Sequence, residues 1–112
     1  MTEKVFTQEE QTIKALREAR ALIDEPSKWI KGDLARSKFG NTCETSSQNA
    51  VCFCSVGALM RVTGHLFGPE WRALSSTFGN RPVAAWNDDS ATTHKDVLAA
   101  FDRAIADLEM FA

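Results

Sequence analysis

Two cysteines stand in an apolar run over residues 51–60, the part of the chain where reactive side chains and the expected core coincide. We expect a helix over residues 50–63, with both thiols in its first turns, where unpaired backbone N–H groups and the helix dipole favour a thiolate. A thiolate, a histidine base and an Asn or Asp that orients the histidine form the layout of thiol hydrolases. The candidates are Cys54 or Cys52 as nucleophile, His94 as base, and Asn87 and Asp88 as orienting groups.

The alternative is that these cysteines are packing residues. The helix expected over residues 50–63 is apolar on nearly every side, which places it at the centre of the fold and makes its cysteines small buried hydrophobes. His94 also lies at a predicted helix N-terminus, where the dipole disfavours a protonated imidazole, and His65 follows the far end of the cysteines' own helix. The sequence therefore favours buried, unreactive thiols over a hydrolase.

A metal site is a further alternative. Structural zinc sites usually show two ligand pairs at short, regular spacing, whereas this chain has one Cys-x-Cys pair and scattered single residues. The Asp88-Asp89 turn lacks the alternating oxygen ligands of a calcium loop. We expect no metal and no other cofactor, and a metal-stabilised domain is the less favoured hypothesis. Its potential ligands are Cys43, Cys52, Cys54, His65 and His94.

The tryptophans lie in less regular segments, which predicts that each ring anchors its segment to the helical body. Asn87 follows Trp86, and we expect its hydrogen bonds to hold an extended connector over residues 81–86 in place. A ligand-binding role for Trp29, Trp86 and Asn87 is the alternative, and it requires two rings to line one pocket.

Helical periodicity predicts an all-α fold, a compact bundle of four or five helices with the 50–63 helix at its centre. Thr7 and Glu10 have the spacing of a capping box, and Thr92 or Thr93 caps the last helix. Gly57, inside a predicted helix, indicates a close approach by a neighbouring element. One domain over residues 1–112 is expected, with helices at about 8–24, 27–36, 50–63, 69–77 and 93–109 and a loop over 37–49.

Composition excludes several classes of protein. With 112 residues, 44% hydrophobic and 25% charged, the chain is typical of one globular domain rather than a disordered or membrane protein. The first residues lack the pattern of an export signal, which predicts a cytoplasmic protein with free thiols. Net charge is −2 over residues 1–25, +4 over 26–86 and −4 over 87–112. This separation suits a charged partner or self-association, whereas the acidic total gives little support to nucleic-acid binding.

The chain resembles a family of short bacterial and phage proteins of unknown function, in three motifs. The matching residues are Pro26, Trp29 and Gly32, then Phe53, Cys54, Gly57, Ala58 and Leu59, then Trp86, Asn87, Asp88 and the helix after Thr93. The resemblance implies a compact domain and supplies no reaction. The sequence therefore favours a non-enzymatic accessory module that binds another protein, or itself as a homodimer, without nucleic acid or membrane.

Overall fold

Helix α1 (Gln8–Leu22) opens the part of the chain that this computed structural model describes, residues 7–110. The predicted capping box is confirmed, because Thr7 Oγ1 accepts from the Glu10 N–H at 3.1 Å and the Glu10 carboxylate accepts from the Thr7 N–H at 3.3 Å. The helix ends at Ile23, three residues before Pro26. The two ends of the predicted 1–112 domain lie outside the described residues.

The helix predicted over residues 27–36 is wrong. A single 3-10 turn, Pro26–Lys28, is followed by bends and by strand β1 (Ala35–Ser37). Gly32 has a φ of +87°, in the left-handed region, which interrupts a right-handed helix. Trp29, Ile30 and Leu34, which would share one face of such a helix, therefore belong to an irregular segment before β1.

The first part of the helix predicted over residues 50–63 is also wrong. Ala50–Phe53 forms strand β2, which pairs antiparallel to β1 with Ala35 opposite Phe53, and helix α2 spans Ser55–Thr63. A short apolar run suits a strand as well as a buried helix, and periodicity alone does not separate the two. The all-α fold class is contradicted, because the described residues form five α-helices and a two-stranded antiparallel sheet.

Three helices complete the described chain: α3 (Pro69–Ser75), α4 (Val83–Asp88) and α5 (His94–Glu109). A 3-10 turn, Ser76–Phe78, extends α3, and the expected Thr93 cap of α5 is confirmed. Helix α4 replaces the predicted extended connector. Six residues are too few to show a helical period, and tertiary contacts decide their conformation.

The core lies where α1, α2, α3 and α5 meet. On the surface, Arg17 Nη2 pairs with Glu109 Oε2 at 2.8 Å, which joins α1 to the end of α5. Within residues 7–110, no helix has both the length and the apolar character that a membrane span requires. The largest fully buried apolar side chains are Leu16, Ile23, Leu59, Leu74, Val97 and Phe101.

Gly57 lets helix α2 approach the segment before β1. A Cβ at this position would overlap the carbonyl group of Leu34, which confirms the predicted close approach. The same Leu34 oxygen accepts from the Cys54 N–H at 3.3 Å, so the contact joins the start of α2 to the entrance of β1.

Candidate functional site

Asn87, the penultimate residue of α4, is fully buried and joins three segments of the chain. Its Oδ1 accepts from Trp29 Nε1 at 2.7 Å, from the Ser55 N–H at 3.0 Å and from Ser55 Oγ at 2.6 Å. Its Nδ2 donates to the Ile30 carbonyl at 3.1 Å and to Asp88 Oδ1 at 2.9 Å. Because an indole N–H and a backbone N–H can only donate, the orientation of the amide is determined. These five residues are called the Asn87 cluster below.

Neighbouring contacts attach the segment before β1 to the end of α4. The Gly32 N–H donates to Asp88 Oδ1 at 3.0 Å, and Lys31 Nζ donates to the Asp89 carbonyl at 2.6 Å. Matching residues of the first and third motifs, Trp29 and Gly32 with Asn87 and Asp88, thus meet in one place, and Ser55 joins them from within the span of the second motif. Since both polar side-chain atoms of Asn87 have partners, the arrangement is that of a buried network that holds elements together.

Cys54 occupies the N-cap position of α2. It is 5% exposed, and its sulfur accepts from the Gly57 N–H at 3.2 Å. Burial raises the pKa of the Cys54 thiol above its ordinary value, and the nearby negative charge of Asp88 raises it further. These effects outweigh the backbone hydrogen bonds that favour the thiolate, so the environment favours a neutral thiol.

His94 is bonded to another part of the chain. Its Nε2 lies 2.7 Å from the Ile23 carbonyl, and because a carbonyl can only accept, this nitrogen carries the proton. The ring also lies 5.9 Å from the Trp29 ring, centroid to centroid. Among residues 7–110, no hydrogen bond joins His94 to Cys54. Cys52 lies on β2, where its thiol donates to the Ser27 carbonyl at 3.4 Å.

The potential metal ligands do not assemble. In the described part of the chain, no three His, Cys, Asp or Glu side chains converge to hold a metal ion. Trp29 and Trp86 also face different surroundings, because Trp29 belongs to the Asn87 cluster while Trp86 stacks on Phe78 with 4.0 Å between ring centroids. Trp86 lines an open cavity of about 560 Å³ with polar and apolar walls, and Trp29 does not line this cavity.

A second site, absent from the sequence-based candidates, lies between α3, the start of α4 and the loop before α3. It is an apolar groove of about 550 Å³, called the Phe67 groove below. Phe67 is 78% exposed at its rim, and its ring lies 6.4 Å from the ring of buried Trp71. The larger apolar side chains that line the groove belong to Val56, Leu66, Phe67, Trp71, Pro82 and Val83.

The backbone of Phe67 has a φ of +60°, in the left-handed region. A bulky residue rarely adopts this conformation, which costs roughly 1–2 kcal/mol. Because the aromatic ring in this strained conformation faces solvent, its burial does little to offset the conformational cost. Strained residues of this kind concentrate at functional sites, which makes Phe67 a candidate contact residue.

Among residues 7–110, the charged side chains that line the Phe67 groove are those of two arginines, Arg72 and Arg81. Arg81 Nη2 pairs with Asp89 Oδ2 at 3.1 Å, whereas exposed Arg72 has no ion-pair partner within residues 7–110. The neighbouring carboxylate of Glu70 is buried and lies 3.7 Å from His65 Nε2. The groove is therefore apolar with a positively charged rim.

The sequence carries only a weak signal for the Phe67 groove. Leu66 and Phe67 lie between Gly64, which ends α2 in the left-handed conformation, and the Gly68-Pro69 start of α3. Two large apolar residues in such a short connection are the one sequence feature that indicates this groove. Their exposure follows from the backbone geometry, which the sequence does not display.

The fold and its buried Asn87 cluster define a small domain that combines α-helices with a two-stranded sheet. A model of a family of unknown function, DUF6197, matches residues 7–107, and the chain belongs to that family. No curated protein and no solved structure matches the chain. This match confirms the expectation that the chain belongs to a family of unknown function, and the family description names no activity.

Proposed function

We propose that this chain is a non-enzymatic accessory module that binds an apolar segment of another protein in the Phe67 groove. The observation that carries the proposal is the strained, 78% exposed Phe67 at the rim of an apolar groove. An exposed apolar surface of this kind is typical of protein-interaction sites. Burial of a phenyl side chain by a partner contributes roughly 1.5–3 kcal/mol.

The charges of the groove favour a different protein over a second copy as the occupant. A symmetric dimer places the same patch of both protomers face to face. Such a contact on this groove would bring together four arginines, two of them copies of the unpaired Arg72. Like charges brought together at an interface oppose association. The groove is thus better suited to a partner whose charge differs from its own.

The catalytic hypothesis finds less support in the surroundings of its candidate residues. Cys54 is buried with a raised pKa, and His94 donates its Nε2 proton to the Ile23 carbonyl. Asn87 uses its side-chain atoms within its own cluster. A binding role requires none of these residues to be reactive.

The proposal is tested with random peptides displayed on phage, selected on the wild-type protein. We expect selected peptides to carry apolar anchors, to bind with dissociation constants in the micromolar range, and to lose about 10-fold or more in affinity on Phe67→Ala. The matched control is Phe39→Ala, because Phe39 is 79% exposed on a different surface and its loss should leave binding unchanged.

Two results would overturn this proposal. One is failure to select any peptide whose affinity depends on Phe67. The other is a dimer of the wild-type protein that becomes monomeric with Phe67→Ala in light scattering, which would assign the groove to a second copy.

A further inference from the structure

We infer that the partner segment carries a carboxylate next to its apolar anchor, and that Arg72 selects it. This inference rests on the proposed function and names the chemistry of the partner. The geometry behind it is the position of Arg72, whose guanidinium is exposed and unpaired and lines a groove with mainly apolar walls.

The other charges near the groove are less accessible to a ligand than Arg72, because Arg81 is paired and Glu70 is buried. Arg81, on the α4 side, is paired with Asp89 at 3.1 Å, so its charge is partly neutralised within the chain. Glu70 precedes Arg72 by two positions on α3 and lies buried beside His65, with 3.7 Å between its Oε2 and the imidazole Nε2. No aspartate or glutamate lines the groove among the described residues, so no carboxylate of the chain competes there for Arg72.

A guanidinium that remains exposed beside an apolar surface suits a carboxylate ligand. Its planar group forms two parallel hydrogen bonds to a carboxylate, which adds directional specificity to charge attraction. An apolar side chain placed against Phe67 and Trp71, with Asp or Glu nearby in the same segment, would engage both features of the groove. The ligand is therefore an acidic, amphipathic peptide segment.

The test uses three displayed peptide libraries that share one pattern of apolar positions. Their flanking positions are restricted to Asp and Glu, to Asn and Gln, or to Lys and Arg. On the wild-type protein we expect the acidic library to be enriched about 10-fold over the amide library. The leading acidic peptide should bind about 10-fold more weakly at high salt or when its carboxylates are replaced by amides, a change equivalent to about 1.4 kcal/mol.

Arg72→Ala should abolish the preference for acidic peptides while binding that depends on Phe67 persists. Arg103→Ala is the matched control, because Arg103 is an exposed arginine outside the groove. Equal enrichment of the acidic and amide libraries, with binding still lost on Phe67→Ala, would overturn the role of Arg72 and leave the proposed function intact. Enrichment of no library would overturn the proposed function itself.

Discussion

Replacement of Asn87 by alanine tests whether the Asn87 cluster holds the fold together. The change removes all five hydrogen bonds that the amide makes. The Ser55 hydroxyl can rotate toward another acceptor, but Trp29 Nε1 and the Ser55 N–H are fixed. Both donors would lose this acceptor, the Ser55 N–H in a buried position and Trp29 Nε1 in a half-buried one.

The expected loss of stability follows from those two donors. A buried donor without a partner costs about 1–3 kcal/mol, and the half-buried indole N–H belongs at the low end of that range, so we expect Asn87→Ala to destabilise the fold by about 3 kcal/mol. A domain of this size is stable by roughly 5–15 kcal/mol, so the loss is a large part of the total. With a urea dependence of about 1.5 kcal/mol per molar, the unfolding midpoint should fall by roughly 2 M.

Equilibrium urea unfolding, followed by tryptophan fluorescence and circular dichroism, measures this change. Ser55→Ala is the matched control, because it removes one hydrogen bond together with its donor and should cost only about 1 kcal/mol. Trp29→Phe in the Asn87→Ala background should cost less than it does alone, since it removes a donor that the first change left unpaired. A loss on Asn87→Ala no larger than that on Ser55→Ala, or full additivity of the pair, would refute the reasoning.

Two further predictions concern the start of α2. In the same unfolding assay, Gly57→Ala should destabilise the fold by several kcal/mol more than Gly64→Ala. A Cβ at Gly57 overlaps the Leu34 carbonyl, whereas a Cβ at Gly64 meets open space and costs only the left-handed strain of about 1–2 kcal/mol. Similar losses for the two variants would contradict the close approach at Gly57. Alkylation of the native protein across a range of pH, analysed by mass spectrometry, should leave Cys54 unmodified until the protein unfolds, because the thiol is buried and its pKa is raised. Rapid labelling of native Cys54 at a pH below the ordinary thiol pKa would instead support the hydrolase hypothesis.

The ends of the described chain were predictable from local chemistry. Thr7 and Thr93 begin helices whose apolar stripes continue for several turns, and both helices form as expected. The conformation of the middle of the chain was not predictable from local chemistry. Residues 50–53 pair with β1, and this choice of strand over helix depends on a partner strand that periodicity within the run does not reveal.

The candidate sites were likewise predictable only in part from the sequence. The position of Asn87 beside Trp86 predicted a hydrogen-bonding role, but its actual partners Trp29 and Ser55 lie 58 and 32 positions away along the chain. Only the folded arrangement identifies them. The Phe67 groove was missed because its defining feature, a left-handed aromatic residue, is a property of the backbone.

The spacing of the Asn87 cluster along the chain has a consequence for synthesis. Translation delivers Trp29 and Ser55 long before Asn87, so the nascent polypeptide emerges with the indole and the first turn of α2 lacking their common acceptor. Contacts between distant positions form late because a long loop must close first. The buried hydrogen bonds of the Asn87 cluster therefore form only after Asn87 itself has left the ribosome.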